Sequence, residues 1–258
     1  MMKILLTNDD GIYAPGLWAL YREFSPGHSV TVVAPDRERS AVSHGITMLE
    51  PLRADKISVN GWHGIAVNGK PADCIKLGIL EFMDRKPDLV LSGINPGANV
   101  GVSLNYSGTV AAAREAALYG IPAIAVSVQG FEIRHYDEAA RFAAELACDV
   151  MEKGLPFGTA LNVNMPDMPM KQIAGVRISR QGICRLSEEY YEKRTDPRNR
   201  IYHWLGADKR TYGQNPDVDE DALSLNYISI TPIRCDMTDY GLLEEMKNWS
   251  SVGKIFQK

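Results

Sequence analysis

Short apolar runs, each closing on a polar cluster and followed by a helix-forming segment, recur through the first 165 residues. Residues 3–8 (KILLTN), 29–34 (SVTVVA), 88–92 (DLVLS), 123–128 and 160–164 read as strands, with further strand over residues 57–67. Between them, residues 16–24, 71–83, 107–119 and 136–153 carry helix signals. Pro15 and Pro71 suit first helical turns, Ser107 suits an N-cap, and Gly120 suits the position just past a helix end. Strands that are apolar on both faces and alternate with helices imply a parallel sheet covered by helices on each side. The expected fold is therefore α/β, a Rossmann-like three-layer sandwich with a mostly parallel sheet.

The pattern changes after about residue 165. Residues 176–181 and 225–231 read as strands, and residues 238–249 as a last helix. Between these strands, residues 184–221 are polar, rich in aromatics and without helical period. Such a stretch inside a compact domain is usually functional or docks on something else. The expected organisation is a catalytic core over residues 1–170. An extension over 171–258 completes the sheet and carries a β-hairpin arm (182–224) and a terminal helix.

Composition narrows the function. The net charge of -4 argues against a broad nucleic-acid footprint, which needs a basic surface. No apolar run approaches the ~20 residues of a membrane span. Cys74, Cys148, Cys184 and Cys235 form no CxxC pair, so neither a zinc site nor a disulfide framework is expected. With no secretory pattern at the start of the sequence, the expected location is cytoplasmic.

In a doubly wound sheet, ligands bind beyond the carboxyl ends of the strands. Three polar clusters fall there: Asn8-Asp9-Asp10-Gly11, residues 36–43 (DRERSAVS) and residues 92–97 (SGINPG). Adjacent carboxylates repel unless a cation neutralises them, and oxygen donors from Asp, Asn and Ser suit Mg2+ or Mn2+. Taken alone, Asp9-Asp10-Gly11 reads sooner as an Asp-rich turn, and it is the two further clusters at matching strand ends that tip the reading to a metal site. Ser107-Gly108-Thr109 opens a helix, where free N–H groups attract anions, although an ordinary N-cap has the same sequence. There is no P-loop and no GxGxxG fingerprint. His44 is the histidine nearest these loops, and a structural hydrogen bond is as good a reading of it as a general acid. A metal beside a helix-terminal anion site suggests phosphate-ester hydrolysis.

Together, ILLTNDDGIYAPG, VVAPDRERSAVSH, PADC, DLVLSGINPGANVG and YSGTVAAAREAA resemble the SurE survival-protein family in order and spacing. The resemblance runs from Lys3 to about Val128. It continues more weakly through Thr195-Asp196-Pro197-Arg198 and residues 202–205. It implies a phosphoric monoester hydrolase, a 5′-nucleotidase also described as a broad acid phosphatase, with a range extending to polyphosphate. It implies one divalent metal ion per subunit, Mg2+ or Mn2+, held by Asp9, Asp10, Ser40 and Asn95, with Asp9 and Asp10 catalytic. Asn8, Ser107, Gly108 and Thr109 match the surroundings of the substrate phosphate, and Asn99 a nearby polar position. It also implies a homodimer or homotetramer through exchange of the C-terminal arm. The chain departs from the family at Lys70, where Thr is usual, at Ser103, often acidic, and at Asn199, usually Gly.

Two readings of other classes compete. A nucleoside hydrolase also uses aspartates at a strand end but releases free base. A non-catalytic nucleotide or polyphosphate sensor binds the same anions without turnover. Within the hydrolase reading, Asp10 as a phosphate-accepting nucleophile is an alternative to attack by water.

Overall fold

A computed structural model describes residues 1–183, 189–207 and 213–249. A nine-stranded sheet forms the centre. Its strands are β1 (Lys3–Thr7), β2 (Ser29–Pro35), β3 (Ala54–Val59), β4 (Trp62–Val67), β5 (Leu89–Pro96), β6 (Ala123–Gln129), β7 (Thr159–Pro166), β8 (Gly175–Ile178) and β11 (Tyr227–Arg234). The order is β3-β4-β2-β1-β5-β6-β7-β11-β8. The run from β4 to β7 is parallel, whereas β3 and β11 join antiparallel. The mixed, mostly parallel sheet matches the sequence reading.

Helices cover both faces. On one side α1 (Pro15–Phe24) and α4 (Tyr136–Lys153) bury Leu17, Leu20, Ala143 and Ala147 against Ile4, Leu6, Leu89 and Leu91. On the other, α2 (Pro71–Leu77) and α3 (Gly108–Leu118) bury Ile75, Val110 and Ala113 against Leu5, Val33 and Val90. Adjacent residues of β1 alternate between the two cores, because successive strand side chains point to opposite faces. This explains why the strand is apolar throughout. The alanines of α3 are fully buried and let that helix lie close to the sheet.

The chain leaves β1 toward β2 on one side and later enters β5 on the other. This reversal opens a crevice beyond the carboxyl ends of β1 and β5, the position where doubly wound sheets bind ligands.

Several elements differ from the expectations. Residues 57–67 split into the hairpin β3–β4, because Asn60 and Gly61 take positive φ of 50° and 86°. The helix expected over 71–83 ends at Leu77 and passes into a wider π-type turn, Gly78–Phe82. The stretch without helical period contains β9 (Glu189–Thr195) and β10 (Ile201–Ala207), paired only with each other in the sheet topology, then the short helix α5 (Asp219–Ser224). The last helix, α6, spans Tyr240–Met246. Cys184 lies outside the described residues. Among the described residues, no helix is long and apolar enough to cross a membrane.

Candidate active site

Asp9 and Asp10 follow β1 after a single residue, Asn8, and stand in the crevice. The backbone around them is fixed from three directions. Asn8 is fully buried and donates through Nδ2 to the Gly11 carbonyl at 2.9 Å. The Arg39 N–H donates to the Asp9 carbonyl at 2.7 Å, which draws the loop after β2 over the pair. The Ile12 N–H donates to the Pro35 carbonyl at 2.8 Å.

The Asp9 side chain is 5% exposed and points at the start of α3. Its Oδ1 accepts a hydrogen bond from Thr109 Oγ1. The N–H groups of Gly108 and Thr109 also favour its ionised form. The anion held by this helix start is thus the carboxylate of Asp9. Gly108 is required for that approach, since a Cβ there would lie 2.8 Å from Asp9 Cβ and 2.9 Å from its Oδ2. Ser107 caps the helix, its Oγ accepting from the Val110 N–H at 3.2 Å.

Burial is the largest influence on both carboxyls, and it raises them. Asp9 is raised by burial despite the bonds from α3. Asp10 is pushed up to about 8 by burial first, then by the negative charges of Asp9 and Glu38. Among the described residues, no cationic side chain figures among the influences on either carboxyl. Two buried oxygens in this cluster, Asn8 Oδ1 and Asp10 Oδ2, have no hydrogen-bond partner. Buried polar atoms are nearly always satisfied, so such orphans call for a ligand. Among the described residues no group of three or more His, Cys, Asp or Glu is arranged to hold a metal ion by itself. The donor set here is two carboxylates with hydroxyl and amide oxygens, which fits a hard, oxygen-seeking cation and not zinc.

The remaining predicted residues border this centre. Ser40 is exposed on the loop after β2 and donates to Glu38 Oε1 at 2.5 Å. Asn95, at the end of β5, donates from Nδ2 to the Gly97 carbonyl at 2.6 Å, which leaves its Oδ1 available as an acceptor. Neither makes a direct hydrogen bond to the aspartates. Asn99 is locked from below. Its N–H donates to Asn164 Oδ1 at 2.7 Å and its Nδ2 to Ser127 Oγ at 2.9 Å, while its carbonyl accepts from Asn162 and Asn164. His44 is committed to Glu115 at 2.8 Å, and Lys76 takes the other Glu115 oxygen at 2.7 Å.

Two groups near the centre were not singled out from the sequence. Glu38 adds its charge to Asp10 and accepts from Ser40. Tyr136, the first residue of α4, packs against Gly16, and its phenol is raised to about 12 by burial and by the nearby charges of Asp10 and Asp167. Only the tertiary fold brings these elements together, and nothing local in the sequence marks them. Concave volumes of about 700 Å3 between α4 and β8 and about 790 Å3 beside β11 lie away from these residues. Chemistry rather than volume therefore marks this site.

Residues 4–188 match the family model described as survival protein SurE. The chain is 60% identical over 249 residues to the protein named 5′-nucleotidase SurE of Desulfatibacillum aliphaticivorans, covering 96% of this chain and 98% of that one. It is 46% identical to the 5′-nucleotidase SurE of Syntrophobacter fumaroxidans, over 96% of this chain and all of that one. The crystal structure of the SurE protein from Aquifex aeolicus superposes with a TM-score of 0.82 at 38% identity, covering 95% of this chain and 98% of that one. The match spans the core, the crevice and the C-terminal extension alike, and this chain belongs to the SurE survival-protein family.

Proposed function

We propose that the protein is a metal-dependent phosphomonoesterase that hydrolyses nucleoside 5′-monophosphates to nucleoside and inorganic phosphate. One observation carries the reading. A buried and a half-buried carboxylate stand side by side at the switch point with a partnerless oxygen, beside the start of α3, and among the described residues no cationic side chain figures among the influences on them. The names of the relatives, 5′-nucleotidase SurE, supply the substrate class. Membership of the family implies a divalent metal cofactor.

Asp9, Asp10, Ser40 and Asn95 would hold one Mg2+ or Mn2+ ion per subunit. When bound, such an ion neutralises the carboxylates, polarises a phosphoryl oxygen and makes water more acidic. The chain's own groups do the rest. Thr109 and the α3 start orient Asp9 through hydrogen bonds to its carboxylate, which fixes the direction in which its free oxygen points. Asn8, Ser107, Gly108, Thr109 and Asn99 border the position of the substrate phosphate. The α3 dipole favours negative charge there. The arm carries assembly into a homodimer or homotetramer, and the enzyme acts in the cytoplasm.

Product analysis with purified protein tests this reading. Nucleoside 5′-monophosphate is incubated after chelation, with and without added Mn2+ or Mg2+, and inorganic phosphate and free base are both quantified. Metal-dependent release of phosphate is expected. Release of base identifies a nucleoside hydrolase, and binding without either product identifies a sensor. Full turnover in metal-stripped protein would remove the proposed metal site.

A further inference from the structure

Gly101 lies in the loop between β5 and α3, two residues after Asn99 and six before Ser107. Both of its backbone polar groups are captured by the C-terminal extension. Its N–H donates to Asp219 Oδ2 at 2.9 Å, and its carbonyl accepts from Gln181 Nε2 at 2.9 Å. Its φ is +57°, and a Cβ at this position would overlap the Glu220 carboxylate, so only glycine lets the loop sit this close.

Gln181 precedes β9, and Asp219 opens α5 after β10, so the two feet of the arm meet on one residue of the active-site loop. The feet are also joined to each other. The Arg180 N–H donates to the Asp217 carbonyl at 2.9 Å, and the Asp219 N–H to the Arg180 carbonyl at 3.0 Å. Asp219 is fully buried and shares its two oxygens between the partners. Oδ2 serves Gly101, while Oδ1 accepts the N–H groups of Gly182 and Glu220, each at 2.8 Å. A carboxylate supplies two acceptor atoms at this length, and an amide supplies one. Burying that charge is costly without such bonds.

From Gly101 the chain runs through a 3-10 turn (Gly101–Asn105) to Tyr106, whose carbonyl accepts the Ser43 N–H at 2.9 Å, and then to the Ser107 cap. Asn99 pins one side of this loop to β6 and β7. The arm feet pin its middle.

We propose that Asp219, assisted by Gln181, is a positioning residue for the active site. It holds residues 101–105 in the register that sets Ser107–Thr109 against Asp9. The base of the arm is thereby part of the catalytic framework and not only of the subunit interface. The inference rests on the phosphomonoesterase reading of the same site.

The test compares wild type, Asp219→Asn, Gln181→Ala and the double variant. Phosphate release from nucleoside 5′-monophosphate is measured at saturating metal, with amide exchange of residues 99–110 and oligomeric state. Asp219→Asn keeps the shape but turns a donor toward the Gly101 N–H. A fall in kcat of roughly ten- to a hundredfold is expected, because displacement by about 1 Å far from the chemistry can cost that much. Exchange should quicken in the loop but not in β1 or β5. Both residues act through Gly101, so their effects should not add. A folded Asp219→Asn protein of unchanged assembly, with wild-type kcat and wild-type loop exchange, would overturn the proposal. If that variant does not fold, the half-buried Gln181→Ala decides, and wild-type values for both its kcat and its loop exchange would overturn it equally. Absence of phosphate release in the wild type would refute the functional reading instead, while loop exchange in the variants would still report on the clamp.

Discussion

In the crevice beyond β1 and β5, polar atoms are buried without partners. On the arm, large apolar side chains stand in solvent. Asn8 Oδ1 and Asp10 Oδ2 lack hydrogen bonds, while Tyr191, Trp204 and Leu205 are 70%, 59% and 59% exposed. Each region carries a cost that the isolated chain does not relieve, and the kind of cost names the missing complement. Uncompensated carboxylates call for a cation. A two-stranded hairpin is marginal by itself in water. The β9–β10 register places Tyr190, Tyr202 and Trp204 on one face and Tyr191 and Leu205 on the other, which gives it apolar surface for a second protein. In the proposed reading a cation completes the crevice and a second subunit covers the arm.

Substitutions in the crevice should cost activity with little loss of fold. Asp9→Asn keeps shape and removes one charge, so turnover should fall on the order of a thousandfold, the rate equivalent of several kcal/mol of metal-supplied stabilisation. Circular dichroism should remain native. Near-normal turnover with normal metal response would dissolve the contrast between the two regions.

Thr109→Ala sharpens it. The Thr109 hydroxyl donates to Asp9, so its loss should act partly through that carboxylate, a proposed metal ligand. A loss of roughly tenfold to a hundredfold in metal affinity or activity is expected for such a supporting group. The concentration of Mn2+ giving half-maximal rate should therefore rise. Were the hydroxyl instead a direct contact to the phosphoryl group, the metal titration would not move and inhibition by inorganic phosphate would weaken.

On the arm the expected readout is assembly. Trp204→Ser removes an exposed aromatic of the kind that dominates interfaces, and about 2 kcal/mol at such a position is roughly 30-fold in dissociation constant. Light scattering across a dilution series should show earlier dissociation. An unchanged distribution of species would assign the exposed aromatics some other role.

How far these two regions could be read beforehand differs for a physical reason. The crevice was legible because its aspartates follow directly on an apolar strand, and sheet topology then fixes where strand ends lie. Asp9, Gly108 and Thr109 were singled out separately and meet in space. Glu38 and Tyr136 were not singled out, because their influence on Asp10 arises only when the β2 loop and the α4 start fold over it. The arm was legible as a segment but not as elements. Its strands carry aromatic residues on both faces, so no single buried face imposes a period on the sequence. The short helix α5 holds three consecutive buried acids, Asp219, Glu220 and Asp221, which read from sequence as solvated loop. The burial of Asp219 is satisfied by the backbone N–H groups of Gly101 and Gly182, which come from distant positions in the chain, and that of Asp221 by the nearer Gly213.

The smallest effect comes from Asp10 and concerns stability. Its carboxyl lies near 8 in the folded, metal-free protein, above its ordinary value of 3.8. Between those two values the folded state keeps a proton that the unfolded chain gives up. Stability from this group is therefore fully present below about pH 3.8 and is lost as pH rises through about 8. Asp10→Asn has no such proton to lose. In metal-free solution the variant should match wild type near pH 4 and melt higher near pH 8, by about 2–4 °C for each kcal/mol in a chain of this size. Added Mg2+ should reverse the order, because a cation that binds only the folded wild type stabilises it in proportion to ligand concentration over Kd. Scanning calorimetry at pH 4, 6 and 8, with chelator and with Mg2+, measures all of this on two proteins. A difference in Tm that does not vary with pH would mean that Asp10 is neutralised within the folded chain. The charge deficit in the crevice, and with it the contrast to the arm, would then rest on Asp9 alone.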